Sequence, residues 1–280
     1  MLAKTRAFFQ ERAVLEADTP ILSTSAPVEA HIDVMRVEMG RGKIGYLHTS
    51  PEYGLKKLLA KGSGDIYQLG HVFRQDEEGP LHMPEFTMIE WYRVGMPYEK
   101  FIDETLDLIL LFLGELPSET LTYREAFLKY VHINYTNGAL TSHLRPLSPD
   151  AIHWDLDTQL NLLFSHLIEP KLGQNQLTVI TDYPPSQAAL AKTALVEGEQ
   201  VAKRFEIYFN GIELGNGFDE LTDAKEQRIR LDVENQKRIN LGKEALPIDE
   251  EFLTALETLP DCCGVAVGFD RLMALMNLSK

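Results

Sequence analysis

The sequence of 280 residues is 44% hydrophobic and 25% charged, the balance of a globular protein with enough chain for a full core. Its 42 acids against 27 bases leave a formal net charge of −15, which repels polyanions and disfavours tight tRNA or DNA binding by this chain alone. No apolar run reaches the roughly 18 residues of a membrane span, and MLAKTRAFFQERA has no apolar signal core, so a cytoplasmic protein with no membrane partner is expected.

Helical periodicity covers about residues 1–14, and a turn-like ADTPILSTSAP follows. Residues 52–61 (EYGLKKLLAK) predict a helix, GSGDIYQLGHVFRQ alternates as a strand, and EFTMIEWYRVG is a second strand joined to it by the polar loop DEEGPLHMP. Strand periodicity puts Phe86, Met88, Glu90 and Tyr92 on one face and Thr87, Ile89 and Trp91 on the other. Helices are predicted at about 97–114 and 122–131, no clear pattern at 132–155, a helix at 156–169, a buried strand at 177–181 and a helical turn at SQAALA. FEIYFNGIELGNGFDEL, residues 205–221, predicts a hairpin about Asn210-Gly211. Helices at about 222–241 and 249–258, a buried strand at 264–268 and a closing helix with Asp270 near its N-cap complete the chain. Cys262 and Cys263, too few for a zinc site and poorly placed for a disulfide, read as buried reduced thiols. The mixture of helices and hairpin-linked strands predicts an α+β fold with a largely antiparallel sheet.

In the hairpin, a type I′ turn pairs Phe209 with Ile212 and Tyr208 with Glu213. Phe205, Ile207, Phe209, Ile212 and Leu214 then form an apolar face, and Glu206, Tyr208 and Glu213 the opposite one, with Gly215 and Gly217 expected to continue the acidic face. Such a face suits either plain solvent or a hard cation, since Mg²⁺ takes one or two carboxylates plus substrate phosphates. Arg74, at a strand end, suits a phosphate or a rim ion pair, and Phe86 suits a stacked base or the core. Glu90 is either a satisfied core group or a recogniser of a cation, and His82 is a candidate phosphate contact or surface histidine. Arg271 lies in the first turn of a helix behind a glycine-rich strand, a place that favours an anion or an ordinary surface arginine.

The ordered segments VLEADTPIL, TSPEYGLKKLLAKG, IYQLGHVFRQDEEGPLHMPEFTMIEWY, IELGNGFDEL and GVAVGFDRLMAL together resemble the class II aminoacyl-tRNA synthetase catalytic core in its lysyl form. The resemblance covers nearly the whole chain and is least specific at residues 115–200. The helix at the N-terminus leads directly into VLEADTPIL, with no room for an anticodon-binding domain, and Ala266 stands where lysyl-tRNA synthetases usually carry glycine. In both respects the chain is similar to the elongation factor P–(R)-β-lysine ligase family. That resemblance implies an antiparallel sheet flanked by helices, a single catalytic domain over residues 1–280, and a homodimer formed through VLEADTPIL. It also implies ATP and Mg²⁺ as cofactors, lysine or (R)-β-lysine as substrate, and a lysine of elongation factor P as acceptor.

Carried over by position, the resemblance gives Arg74 the α-phosphate of ATP, Phe86 the adenine, and Arg271, with Gly268 beside it, the nucleotide; Asp76 and His82 join the nucleotide site. Glu206 and Glu213 would hold Mg²⁺ on the phosphates. Glu52, in Ser50-Pro51-Glu52, would take an amino group, and Glu90, Tyr92 and Glu220 would line the side-chain ammonium pocket, with Ala266 at its wall. The sequence departs from the family pattern in Arg74-Gln75-Asp76 for Arg-x-Glu and in Met83 for asparagine after His82. The alternatives are a truncated lysyl-tRNA synthetase that charges tRNA with a separate partner, and a regulatory or amino-acid-binding module that has lost catalysis.

Overall fold

A computed structural model describes residues 1–79, 82–137 and 140–278; Pro80 and Leu81 of the predicted polar loop lie outside these. The chain forms two compact units: unit 1 is Met1–Leu113 with Glu220–Lys280, and unit 2 is Gly114–Asp219.

The first stretch of unit 1 contains α1 (Leu2–Glu11), β1 (Leu15–Glu16), β2 (Leu22–Ser23), β3 (Arg36–Glu38), β4 (Ile44–Leu47), α2 (Glu52–Ala60), β5 (Ile66–Phe73), β6 (Glu85–Val94) and α3 (Tyr98–Leu113). Unit 2 holds β7 (Ser118–Thr122), α4 (Tyr123–Tyr130), α5 (Thr141–Leu147), α6 (Leu156–Leu163), β8 (Leu177–Tyr183), β9 (Thr193–Val196), β10 (Glu199–Phe209) and β11 (Ile212–Asp219). The chain returns to unit 1 with α7 (Ala224–Asn240), α8 (Glu250–Leu256), β12 (Cys262–Gly268) and α9 (Phe269–Leu278).

In unit 1 the strands follow the order β1-β5-β6-β12, antiparallel except for the short β1–β5 pair, and β2-β4-β3 form a separate small sheet. The alternation expected of β6 holds. Trp91 packs among Phe9 and Phe101, the rings of α1 and α3, and its Nε1 donates to buried Glu104, while Glu90 and Tyr92 point to the other side and bond each other. The helix α1 ends at Glu11, before the predicted residue 14, and Ala13 follows it with a φ of 54°, outside the helical range. Both cysteines are buried thiols on β12.

In unit 2 the order is β11-β10-β8-β7, with β9 paired to β10. An aromatic cluster packs the helices on this sheet; Tyr123 stacks on Phe164 with centroids 5.1 Å apart, and Tyr183 and Tyr208 adjoin it. The predicted helix over 156–169 is α-helical only to Leu163 and continues as a π-helical turn, Phe164–Ile168. The helical turn expected at SQAALA is a single 3₁₀ turn, Pro185–Gln187.

The hairpin turns at Asn210 (φ 49°) and Gly211 (φ 73°), and Phe209 pairs with Ile212 and Tyr208 with Glu213, all as expected. Beyond them the register shifts. Ile207 pairs with Gly215, Phe205 with Gly217 and Glu206 with Asn216, so Leu214 is the extra residue of a β-bulge. Direct cross-strand partners share a face. Gly215 and Gly217 therefore lie on the apolar face, and Asn216, not the glycines, continues the acidic one.

Candidate active site

Every predicted site residue except Glu206 and Glu213 belongs to unit 1. Arg74 follows directly on β5, and its backbone N–H donates to Pro84 O at 2.8 Å, closing the ends of β5 and β6 together. Its guanidinium carbon lies 5.2 Å from the centre of the Phe86 ring, its Nε reaches Thr49 O at 3.5 Å, and its Nη1 stands 3.7 Å from Glu77. Arginine and aromatic face are thus brought together as a cation–π pair. Asp76, at φ 61°, occupies a left-handed turn and accepts from Gln75 Nε2 at 3.2 Å.

Arg271 and His82, proposed separately from sequence, also meet: Arg271 Nη2 stands 3.1 Å from His82 Nε2. His82 is held by paired backbone bonds with Gly79. Asp270 lies near the N-cap, as expected, in the first turn of the closing helix. The helix begins at Phe269, and the Asp270 carboxylate accepts the Thr87 N–H at 2.8 Å, tying α9 to β6. Gly268, beside Arg271, pairs with Met88; a Cβ there would make an ordinary 3.4 Å contact, so packing does not demand the glycine.

The second group of residues forms a buried cluster of acids. Glu90 and Tyr92 on β6 face Ala266 and Gly264 on β12 in register. Glu90 is 2% exposed; its Oε1 accepts from Tyr92 Oη at 2.7 Å and its Oε2 has no hydrogen-bond partner. Glu220 is fully buried, and its N–H donates to Cys262 O. Glu52 opens α2, where its backbone N–H reaches Ser50 Oγ at 3.4 Å. Between Glu52 and Glu220 stands Lys56, 1% exposed, with Nζ 2.5 Å from Glu52 Oε1 and 2.6 Å from Glu220 Oε2.

The electrostatics follow from burial and crowding. Burial, reinforced by the charge of Glu52 and opposed by the Tyr92 bond and Lys56, holds the Glu90 carboxyl well above the usual carboxylate range. Burial and then the Glu90 charge push the Tyr92 phenol far up, so it stays a donor. Burial alone would discharge Lys56, but Glu220 and Glu52 outweigh it and keep the ammonium charged. Sequence reasoning missed Lys56, although a lysine four residues after Glu52 on one helix face is a readable signal. It missed Gly264 as well: a Cβ there would collide with the Glu220 carboxylate and the Tyr92 ring. Gly264→Ala is expected to destabilise the fold by about 1–3 kcal/mol, measured by thermal melting.

In unit 2, Glu206 is held by three neighbouring side chains. Its Oε2 accepts from Tyr183 Oη at 2.6 Å and from Tyr208 Oη, and its Oε1 from Arg204, which also reaches Asn216 Oδ1 at 3.1 Å. Burial and then the Glu206 charge raise both phenols, so they remain donors. A carboxylate offers about four acceptor positions, so these three bonds orient Glu206 and leave one position. Glu213, cross-strand from Tyr208, is only half buried, and its charge is felt at Tyr208 and Arg204 together with that of Glu206. Among the described residues no group of three metal-ligating side chains occurs. Two carboxylates on one sheet face nonetheless fit Mg²⁺, a hard cation that usually keeps waters and takes one or two protein carboxylates.

A mostly antiparallel sheet with an arginine–aromatic pair at one strand end, an arginine in the first turn behind a glycine-rich strand, and a buried cluster of acids on unit 1 is the catalytic arrangement expected of a class II synthetase. The whole chain, residues 1–280, matches the family of class II tRNA synthetases (D, K and N). It is 43% identical to the elongation factor P–(R)-β-lysine ligase of Vibrio parahaemolyticus over 98% of this chain and 88% of that protein. The ligases of Hamiltonella defensa (42%, over 100% and 91%) and Haemophilus influenzae strain Rd (41%, over 98% and 88%) are similar to the same degree. The chain belongs to the elongation factor P–(R)-β-lysine ligase family, a branch of the class II synthetases.

Proposed function

We propose that the protein activates a lysine-type diamino acid, (R)-β-lysine in the first place, with ATP and transfers it to a lysine side chain of elongation factor P. The single observation that carries the substrate class is Glu90, a buried carboxyl with an unpartnered oxygen beside further buried acids, where a desolvated ammonium is the complementary group. More than 40% identity to ligases of that substrate and acceptor along almost the whole chain supports the rest.

On this reading residues 1–280 act as one catalytic domain, as the length of the family match supports. Phe86 offers its face to the adenine. Arg74 and Arg271 place positive charge where the α-phosphate accumulates negative charge as a carboxylate oxygen of the amino acid bonds to phosphorus and the bond to pyrophosphate breaks. Glu52, Glu90, Tyr92 and Glu220, with Ser50 and Ala266 at the wall, orient the two amino groups. The acceptor lysine amine then attacks the acyl carbon, AMP leaves, and the amine loses a proton. Glu206 and Glu213 would hold magnesium, which when bound neutralises phosphate charge. Tyr183, Tyr208 and Arg204 fix the Glu206 carboxylate for that role.

A homodimer through VLEADTPIL is part of the proposal, supported by Leu15 at 60%, Ile21 at 40% and Leu22 at 37% exposure, as is a cytoplasmic location beside the translation factor. Among the described residues no helix is long and apolar enough to cross a membrane. The deciding experiment supplies labelled (R)-β-lysine or α-lysine, ATP, and either elongation factor P or tRNA. Label on elongation factor P is expected; label on tRNA alone would sink the reading. Glu206→Gln combined with Glu213→Gln is expected to abolish amino-acid-dependent ATP–pyrophosphate exchange while leaving the melting curve close to wild type, and retained exchange would remove the metal assignment.

A further inference from the structure

Lys56 has no part in the activation step, yet it is one of the largest fully buried side chains of the molecule. A pocket for a cationic substrate that already contains a cation needs a physical reason. The ammonium lies within 2.6 Å of one oxygen of Glu52 and one of Glu220, and 5.9 Å from the centre of the Phe252 ring on α8. Glu52 comes from the first turn of α2 and Glu220 from the residue after β11, so the lysine joins two chain segments 168 residues apart in sequence, Glu52 and Glu220. Glu90 feels the charges of all three.

Burial and then the charges of Glu52 and Glu220 favour the neutral Glu90 acid, and the Lys56 charge opposes them. A neutral acid is a poor ammonium acceptor. An internal ammonium bridging Glu52 and Glu220 offsets their charge beside Glu90 and fixes where their oxygens point, and Glu90 is left to the substrate. The bond pattern matches: Glu52 and Glu220 each have an oxygen on Lys56, whereas Glu90 Oε2, in a residue 2% exposed, has no hydrogen-bond partner.

We propose that Lys56 is a positioning residue for amino-acid selection: its ammonium ties Glu52 to Glu220, so that Glu90 presents the open carboxylate oxygen to the incoming ammonium. The inference rests on the assignment of this pocket to the diamino acid. It makes Lys56 a determinant of affinity for the amino acid and not for ATP.

The test is ATP–pyrophosphate exchange and calorimetric titration with (R)-β-lysine and α-lysine on wild type, Lys56→Ala and Lys56→Met. Each variant is expected to raise the KM for the amino acid by about tenfold or more, the worth of one charge-assisted contact, with the KM for ATP within about twofold. Lys56→Ala lacks three carbons and the ammonium, so added propylammonium is expected to restore the amino-acid KM and 1-propanol is not. Folded variants with an unchanged amino-acid KM overturn the proposal, as does restoration by propanol equal to that by propylammonium, which would make Lys56 a filler of space. Should the single variants melt below the assay temperature, Lys56→Met with Glu220→Gln removes the cation together with its fully buried partner charge, and an unchanged amino-acid KM in that pair overturns the proposal equally. A wild-type protein silent with every lysine-type amino acid overturns the pocket assignment and this proposal with it; an active wild type beside unaffected variants overturns this proposal alone.

Discussion

Glu90→Gln is expected to cost about 2–5 kcal/mol of amino-acid binding, roughly 30-fold to several-thousand-fold in KM, because it removes one partner of a desolvated charge pair. The KM for ATP is expected to stay near wild type, since the Arg74–Phe86 pair does not bond this carboxylate. The same substitution carries a signed pH effect. The Glu90 carboxyl is held above its ordinary value by burial first and by the Glu52 charge second. Between the unfolded and folded values the native state holds a proton that the unfolded chain has released, so stability falls as pH rises through that window. Ligand-free wild type is therefore expected to lose melting temperature from the ordinary carboxylate range upward until Glu90 ionises, and Glu90→Gln to lose less. An ammonium requires the ionised form, so amino-acid affinity of wild type is expected to rise over the same window with release of a proton. Thermal melts and titrations across pH check both signs; a variant that keeps the wild-type slope would assign the pH dependence to another group.

Arg74→Ala is expected to lower kcat for adenylate formation by about 10²–10³-fold, the usual effect of deleting one preorganised donor at developing negative charge. Arg74→Lys is expected to recover only part of this, because an ammonium is a point charge that cannot grip two phosphate oxygens in one plane or stack on Phe86. Stability should barely change, since the side chain's ion pair with Glu77 is long, at 3.7 Å, and solvent-accessible. Rapid-quench measurement of adenylate beside a thermal melt separates the two effects. A loss of rate that tracks a loss of folded protein would reassign Arg74 to structure.

The site was legible where local rules act. Period-2 alternation along EFTMIEWYRV placed Glu90 and Tyr92 on one face and Trp91 on the other, and Asn210-Gly211 set the turn and its first two pairs. Reading failed where the deciding partner is remote in sequence or the element is short. The two- to five-residue strands Leu22–Ser23, Arg36–Glu38 and Ser118–Thr122 carry too little period to stand out from loops, and SETLT becomes a strand only by pairing in parallel with β8. A single bulge at Leu214 exchanged the faces of Gly215, Asn216 and Gly217, because every residue beyond an inserted one changes side.

The sequence by itself determined the elements, the candidate arginines and acids, and through the ordered motifs the family, since turn chemistry, periodicity and motif order are local properties of the chain. Only the tertiary structure decided which of those groups meet. It set His82 against Arg271, placed Tyr183, Tyr208 and Arg204 on Glu206, and put the ammonium of Lys56 between Glu52 and Glu220. The physical reason is that charge in a protein interior is settled by distance and burial, and residues 52 and 220 become neighbours only when the chain folds.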